Sequence, residues 1–156
     1  MGFWVGNLSK RRIIENEEKL EKIAIDSNIF RNLNFINYLR INKKKIQVYV
    51  PSIVSFELGY YFLTKGITWG DFLKEIQKIN GIFLEWDSVV LLEVLKNALN
   101  NKVTLPIRHH FRDFMIGTQC ENTSLDLISY NKNHFKWLKR ISIQTPEEFV
   151  LKRIKK

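Results

Sequence analysis

Four side chains, far apart along the chain, stand where chemistry could begin: Asp26, Glu57, Asp113 and Asn131. Asp26 closes the apolar run Ile23-Ala24-Ile25, so a strand from the core would carry a carboxylate at its carboxyl end. Glu57 lies six residues after Pro51, one to two turns into a helix expected to follow a second strand. Asp113 sits within "RHHFRDFMIG", sharing a helical face with Ile116 and Gly117. Asn131 follows the apolar run "LDLIS" and points to the same edge as Asp26. Two carboxylates about 4 Å apart repel by roughly 4 kcal/mol at an effective dielectric near 20. Three at one place need a cation or protons. Hard oxygen ligands suit Mg²⁺ or Mn²⁺, ions that also bind phosphate oxygens and activate water. Each acid has a plainer alternative: Asp26 as cap of a helix starting near Asn28, Glu57 in solvent, Asp113 paired with Arg112 or Arg108. One metal site accounts for all three together.

The elements that must position these groups alternate. "KIAID", "IQVYVP", "GIFLEW", "LDLISYN" and "ISIQ" read as strands. "NIFRNLNFINYLRI", "SIVSFELGYYFLTKG", "TWGDFLKEIQKI", "DSVVLLEVLKNALNN", "RHHFRDFMIGTQCEN" and "TPEEFVLKRIKK" read as helices, and "HFKWL" as a short turn or helix. Ser52 and Asp87 are expected caps, Gly66 a stop and Pro146 a first helical residue. Strands this apolar, separated by helices, predict an α/β fold: three layers, with a central parallel sheet of four to five strands. In such a sheet, ligands bind beyond the carboxyl ends of the strands, where strand order reverses. Asp126 precedes its strand, so it belongs to the opposite end and is structural.

At 156 residues, 45% of them hydrophobic and 13% aromatic, the chain reads as one folded domain, residues 22–156, behind an extension, residues 1–21. The extension carries helical charge pairs, Glu15 with Lys19 and Glu18 with Lys22. No apolar run approaches a bilayer span, and the amino terminus is a poor signal peptide. With one cysteine, Cys120, these features predict a soluble protein of the reducing cytoplasm. The net charge is +9, and residues 132–156 hold eight Lys or Arg against two Glu. Such a balance attracts polyanions. In "HFKWLKR", Phe135, Leu138 and Ile141 are expected to pack, leaving Lys136, Lys139 and Arg140 to meet phosphates, joined by Arg108, Arg112 and Lys132. His109 and His110 are adjacent, cannot share one metal, and are read as surface residues. Cys120 falls on the face of Asp113 and is read as core. The helix over 52–65 is apolar nearly all round; a dimer contact, the helix over 67–79 or the extension must cover its outer side. No GxGxxG or Walker A pattern occurs, which disfavours dinucleotide and nucleotide triphosphate binding.

In order and spacing, "IDSNIF", "VPSIVSFELG", "RDFMIGTQC" and "LISYNKNHF" resemble the motifs of PIN domains, metal-dependent ribonucleases, over residues 22–146. The resemblance implies that Asp26, Glu57 and Asp113 hold Mg²⁺ or Mn²⁺, with Asn131 as a fourth catalytic position and Ser27, Asn28 and Ser129 in support. Many PIN domains have Asp at the position of Asn131; the amide lowers the site charge by one and weakens the case for a second metal. The activity implied is that of an RNA endonuclease, either a VapC-like toxin silenced by a small antitoxin or a processing enzyme, and a homodimer is expected. The alternative is a PIN domain that binds RNA or protein without cutting.

Overall fold

A computed structural model describes residues 20–155. The expected extension, with its charge pairs, therefore lies almost wholly outside the described residues. Five strands, β1 (Glu21–Ile25), β2 (Ile46–Val50), β3 (Gly81–Phe83), β4 (Asp126–Ile128) and β5 (Ile143–Gln144), form one parallel sheet in the order β3-β2-β1-β4-β5. Six helices connect and cover them: α1 (Leu33–Ile41), α2 (Ser52–Thr64), α3 (Trp69–Lys78), α4 (Ser88–Asn100), α5 (Ile107–Asn122) and α6 (Pro146–Ile154). The arrangement is the expected three-layer α/β/α fold. Strand order reverses beside β1: the chain builds outward through β2 and β3, then returns to lay β4 on the other side. The crevice between the ends of β1 and β4 is thus the place where ligands bind in open parallel sheets.

The central strands are apolar on both faces because both are covered. Ile23, Ala24 and Ile25 of β1, Val48 and Val50 of β2, and Leu127 and Ile128 of β4 are all buried. Each fully buried side chain of Ile or Leu size contributes about 1.5–3 kcal/mol. Phe35 of α1 meets Phe149 of α6 edge-on, ring centroids 6.1 Å apart, while Val54 and Leu58 of α2 and Ile116 and Cys120 of α5 join the same core. A second cluster, Val90, Val94 and Ala98 of α4 against Phe114, fastens α4 to α5.

Several local expectations change. The helix expected after Asp26 divides: Asp26 caps a 3₁₀ turn, Ser27–Arg31, and Asn32 then caps α1 by accepting from the Phe35 N–H at 3.0 Å. Ser52 does not cap α2. It is the first helical residue after Pro51, and its hydroxyl donates to the Leu84 carbonyl at 2.7 Å. The strand expected over "GIFLEW" is shorter, Gly81–Phe83, with a last bond from the Leu84 N–H to the Val50 carbonyl at 2.9 Å. Asp87 caps α4 and Pro146 opens α6, as the pattern predicted, and Thr145 with Glu148 adds a capping box around Pro146. Gly66, with φ 76, stops the chain just past α2.

The outer side of α2 is covered in part by α3, where Trp69 lies 3.1 Å from the place a Cβ on Gly59 would take. Phe56, Tyr60, Tyr61 and Leu63 remain exposed. Among the described residues no helix is long and apolar enough to cross a membrane.

Candidate active site

Asp26 emerges from β1 in extended conformation, φ −83 and ψ 158, and its N–H donates to the Ile128 carbonyl of β4. The side chain is fully buried. One carboxylate oxygen accepts from the Ser27 N–H at 2.7 Å, and the other from the Ser129 hydroxyl at 2.7 Å and the Asn28 amide at 3.2 Å. Ser129, itself buried, also accepts from Asn28 and from the Asn131 N–H at 3.0 Å. Capping is thus a true role of Asp26, and not its only one.

Glu57 stands on α2 and Asp113 on α5. These helices are held in register by Gln119, buried on α5, whose amide accepts from the Ser52 N–H at 2.9 Å and donates to the Ser52 hydroxyl and the Glu85 carbonyl. With no side chain capping the start of α2, this bond satisfies one of its open N–H groups.

The three carboxylates converge, and the group between them is Arg112. Its guanidinium donates to Asp26, to Glu57, to Asp113 at 3.3 Å and to the Ser27 hydroxyl at 2.8 Å. Burial alone would lower the pKa of Arg112, but the hydrogen bonds and charges of Glu57 and Asp26 outweigh it and raise it. The pairing of Asp113 with Arg112, weighed from the sequence as an alternative to convergence, is part of the convergence. Arg112, expected as a phosphate contact, is engaged here by the three acids.

The donor set suits a cation, but Arg112 holds the place between the acids. Among the described residues, the group whose ligand atoms lie within 4.8 Å of one another is His110, Asp113 and His134, not the three acids. Three acids already surround one positive group, leaving a net excess of negative charge. The second oxygen of Glu57 is buried without a hydrogen-bond partner, a costly state that a metal ion would relieve. The donors are hard oxygens, as Mg²⁺ and Mn²⁺ require. Glu57 and Asp113 open on a cleft of about 1180 Å³ lined also by Ser27, Asn28 and Asn131, while Asp26 is buried behind it. Asn131 is exposed at its mouth and caps the 3₁₀ turn Lys132–Phe135 without a side-chain hydrogen bond.

Two residues enter the site that the sequence reading did not place there. His110, taken for a surface residue, is only 18% exposed at its side chain, and its Nδ1 lies 3.1 Å from Asp113 Oδ2. His134 Nδ1 approaches the same oxygen, also at 3.1 Å. The available signal was the spacing of three between His110 and Asp113, which puts both on one face of a helix. His134 carried no such signal, since only tertiary packing brings it near. His109 remains exposed and accepts from Arg108.

The basic residues divide. Lys132 binds Glu148 at 2.8 Å, and Arg140 stands 3.6 Å from Glu121. Arg108, Lys136 and Lys139 are exposed and form no ion pair among the described residues. Phe135 and Leu138 are buried, and Ile141 packs on the core, as expected. Trp137 lies against Gly117, where a Cβ would come within 2.7 Å of the ring, and donates to the His134 carbonyl at 3.0 Å. Cys120 is buried, and burial, with the charge of Asp26 adding, pushes its thiol up, so it is an inert core residue. Asp126 accepts from the Ser142 N–H at 2.9 Å and joins β4 to the chain before β5, a structural role.

No protein-family model matches the chain, and no curated protein is significantly similar to it in sequence. Solved structures are similar in fold. The structure of VapBC2 from Rickettsia felis bound to a DNA fragment from their promoter aligns with a TM-score of 0.58 at 16% identity, over 80% of this chain and 98% of that one. PAE2754 from Pyrobaculum aerophilum aligns with a TM-score of 0.56 at 15% identity, over 88% and 98%. The fold is VapC-like and PIN-like. In an open parallel sheet of this order ligands bind at the switch point, which here is the β1/β4 crevice beside Asp26.

Proposed function

We propose that this chain is a divalent-metal-dependent endoribonuclease, a hydrolase of RNA phosphodiester bonds, acting as a VapC-like toxin or an RNA-processing nuclease. The observation that carries the reading is the meeting of Asp26, Glu57 and Asp113 on one positive group, with a Glu57 oxygen buried and unpartnered. Held by these carboxylates, Mg²⁺ or Mn²⁺ would supply a Lewis acid that activates water and neutralises charge on the phosphate. The chain's own residues supply the setting. Ser129 and Asn28 fix the orientation of Asp26, and Ser27 holds the inner end of Arg112. Asn131, at the mouth of the cleft, offers an amide to a water or a phosphate oxygen. Arg108, Lys136, Lys139 and Arg140, all exposed, would meet the RNA backbone, where counterion release favours binding. Were a metal ion to take its acidic partners, Arg112 would be free to donate to a phosphate as a bidentate group.

A VapBC assembly among the solved structures of like fold supports a small antitoxin as partner, in the cytoplasm that the lone buried thiol suits. The exposed apolar side of α2 supports a protein contact, with antitoxin or in a homodimer.

A second reading, binding of RNA or protein without cleavage, is favoured by two observations. Arg112 already neutralises part of the acidic centre, and Asn131 stands where a further acid would complete it. Cleavage of single-stranded and structured RNA separates the two. With Mn²⁺ the wild type should leave 5′-phosphate and 3′-hydroxyl ends, and chelator, Asp26→Asn and Asp113→Asn should each abolish it. RNA bound but uncut by the wild type would establish the second reading; equal cutting by all forms would expose a contaminant and leave the nuclease proposal without support.

A further inference from the structure

His110, Asp113 and His134 form a second constellation beside the oxygen cluster. His110 stands one turn before Asp113 on α5, and His134 arrives from the 3₁₀ turn after β4. Both Nδ1 atoms lie 3.1 Å from Asp113 Oδ2, and the imidazoles meet edge-on with centroids 5.0 Å apart. The three ligand atoms all lie within 4.8 Å of one another. Ligands about 2.0–2.2 Å from a shared ion stand roughly 3–4 Å apart, so these three need only small movements to close on one. Two imidazole nitrogens and one carboxylate make a borderline donor set. It discriminates against Mg²⁺, which demands oxygen, and in favour of first-row transition ions. Burial separates this set from a chance surface cluster, since the Asp113 and His110 side chains are 7% and 18% exposed. His134, 44% exposed, stays open toward the cleft and leaves room for water or substrate as a further ligand.

We propose that His110, Asp113 and His134 bind a transition ion of the Zn²⁺ and Co²⁺ class as a two-histidine, one-carboxylate site. The site shares Asp113 with the proposed magnesium or manganese centre; it takes that reading's ligand but does not depend on cleavage. It is held in place from behind: Trp137, against Gly117, donates to the His134 carbonyl and so fixes the turn that presents this imidazole.

Untagged full-length protein titrated with Co²⁺ tests the site through the visible ligand-field spectrum. The wild type should take up one ion with a band more intense than that of hydrated cobalt. His110→Gln and His134→Gln should each weaken uptake by more than about tenfold, given that even outer-shell changes cost 10–100-fold. His109→Gln should bind as the wild type does. Asp26→Asn, which removes an oxygen ligand only, should still take up Co²⁺ while losing RNA cleavage. That pattern separates this site from the nuclease reading, whose failure would leave Co²⁺ uptake intact. Should a variant not fold, substoichiometric Co²⁺ added to the wild type should broaden the ring proton signals of His110 and His134 before those of His109. No ligand-field band in the wild type, unchanged uptake by both glutamine variants, or broadening of His109 first would each overturn the proposal.

Discussion

Arg112 reaches Asp26, Glu57 and Asp113 from the position next to Asp113 on α5, so removing it exposes the cost of gathering the acids. Asp26 is fully buried. Breaking a buried pair from one side costs about 3–5 kcal/mol, because the remaining charge stays buried without compensation. Arg112→Ala should therefore lower the melting temperature strongly in chelator. If the same carboxylates hold divalent ions, Mn²⁺ should raise the melting temperature of the variant more than that of the wild type, since an ion bound only by the folded state stabilises by mass action. Equal shifts for both proteins would mean that manganese binds elsewhere. The contrast with Asn131 is instructive: exposed and without a side-chain hydrogen bond, it should be replaceable at little cost to stability.

Between elements, Gln119 ties the start of α2 to α5 and thereby sets Glu57 relative to Asp113. Gln119→Ala leaves the Ser52 N–H and the Glu85 carbonyl without this partner, and loss of about 1–3 kcal/mol is expected in denaturant unfolding. Activity should fall further than stability, because the two acids sit on the two helices the amide joins. A second device concerns α6. The Glu148 carboxyl is held below its ordinary value of 4.5, first by the Lys132 ammonium and then by the Thr145 N–H. A depressed carboxyl contributes stability above its unfolded value and loses it as pH falls through the folded one. The difference in melting temperature between wild type and Glu148→Gln should therefore be steady near neutral pH and close as pH drops below about 4.5. A difference that grew with acid would contradict the pairing with Lys132.

Over the whole molecule, the exposed apolar side of α2 is the surface to test for a protein contact. Phe56 and Tyr60 are 68% and 66% exposed and stack on each other, centroids 6.4 Å apart. A double change, Phe56→Asp with Tyr60→Asp, should leave the melting temperature nearly unchanged, because neither ring belongs to the core. Sedimentation at rising concentration should then show a smaller association constant than for the wild type. Unchanged association would move the contact to another surface.

Some of this architecture is legible in the residues alone. The apolar residues over 23–25, over 46–50 apart from Gln47 and over 125–128 apart from Asp126 announce buried parallel strands, because both faces of such a strand are covered. Asp26 at the end of the first follows from the same pattern, while Ser129 comes only from the family resemblance. Asp87, Pro146 and Gly66 mark helix ends by local hydrogen bonding and backbone restriction or freedom. These are short-range effects that a few neighbours decide. Tertiary packing alone decides what occupies the centre. Whether Arg112 points to solvent or into the acids, and whether His134 of one turn reaches Asp113 of a distant helix, depends on the angle and separation of α2, α5 and the β4 edge. Those quantities come from side chains such as Gln119, Gly117 and Trp137 interlocking across the core, a sum of long-range contacts that no local pattern carries.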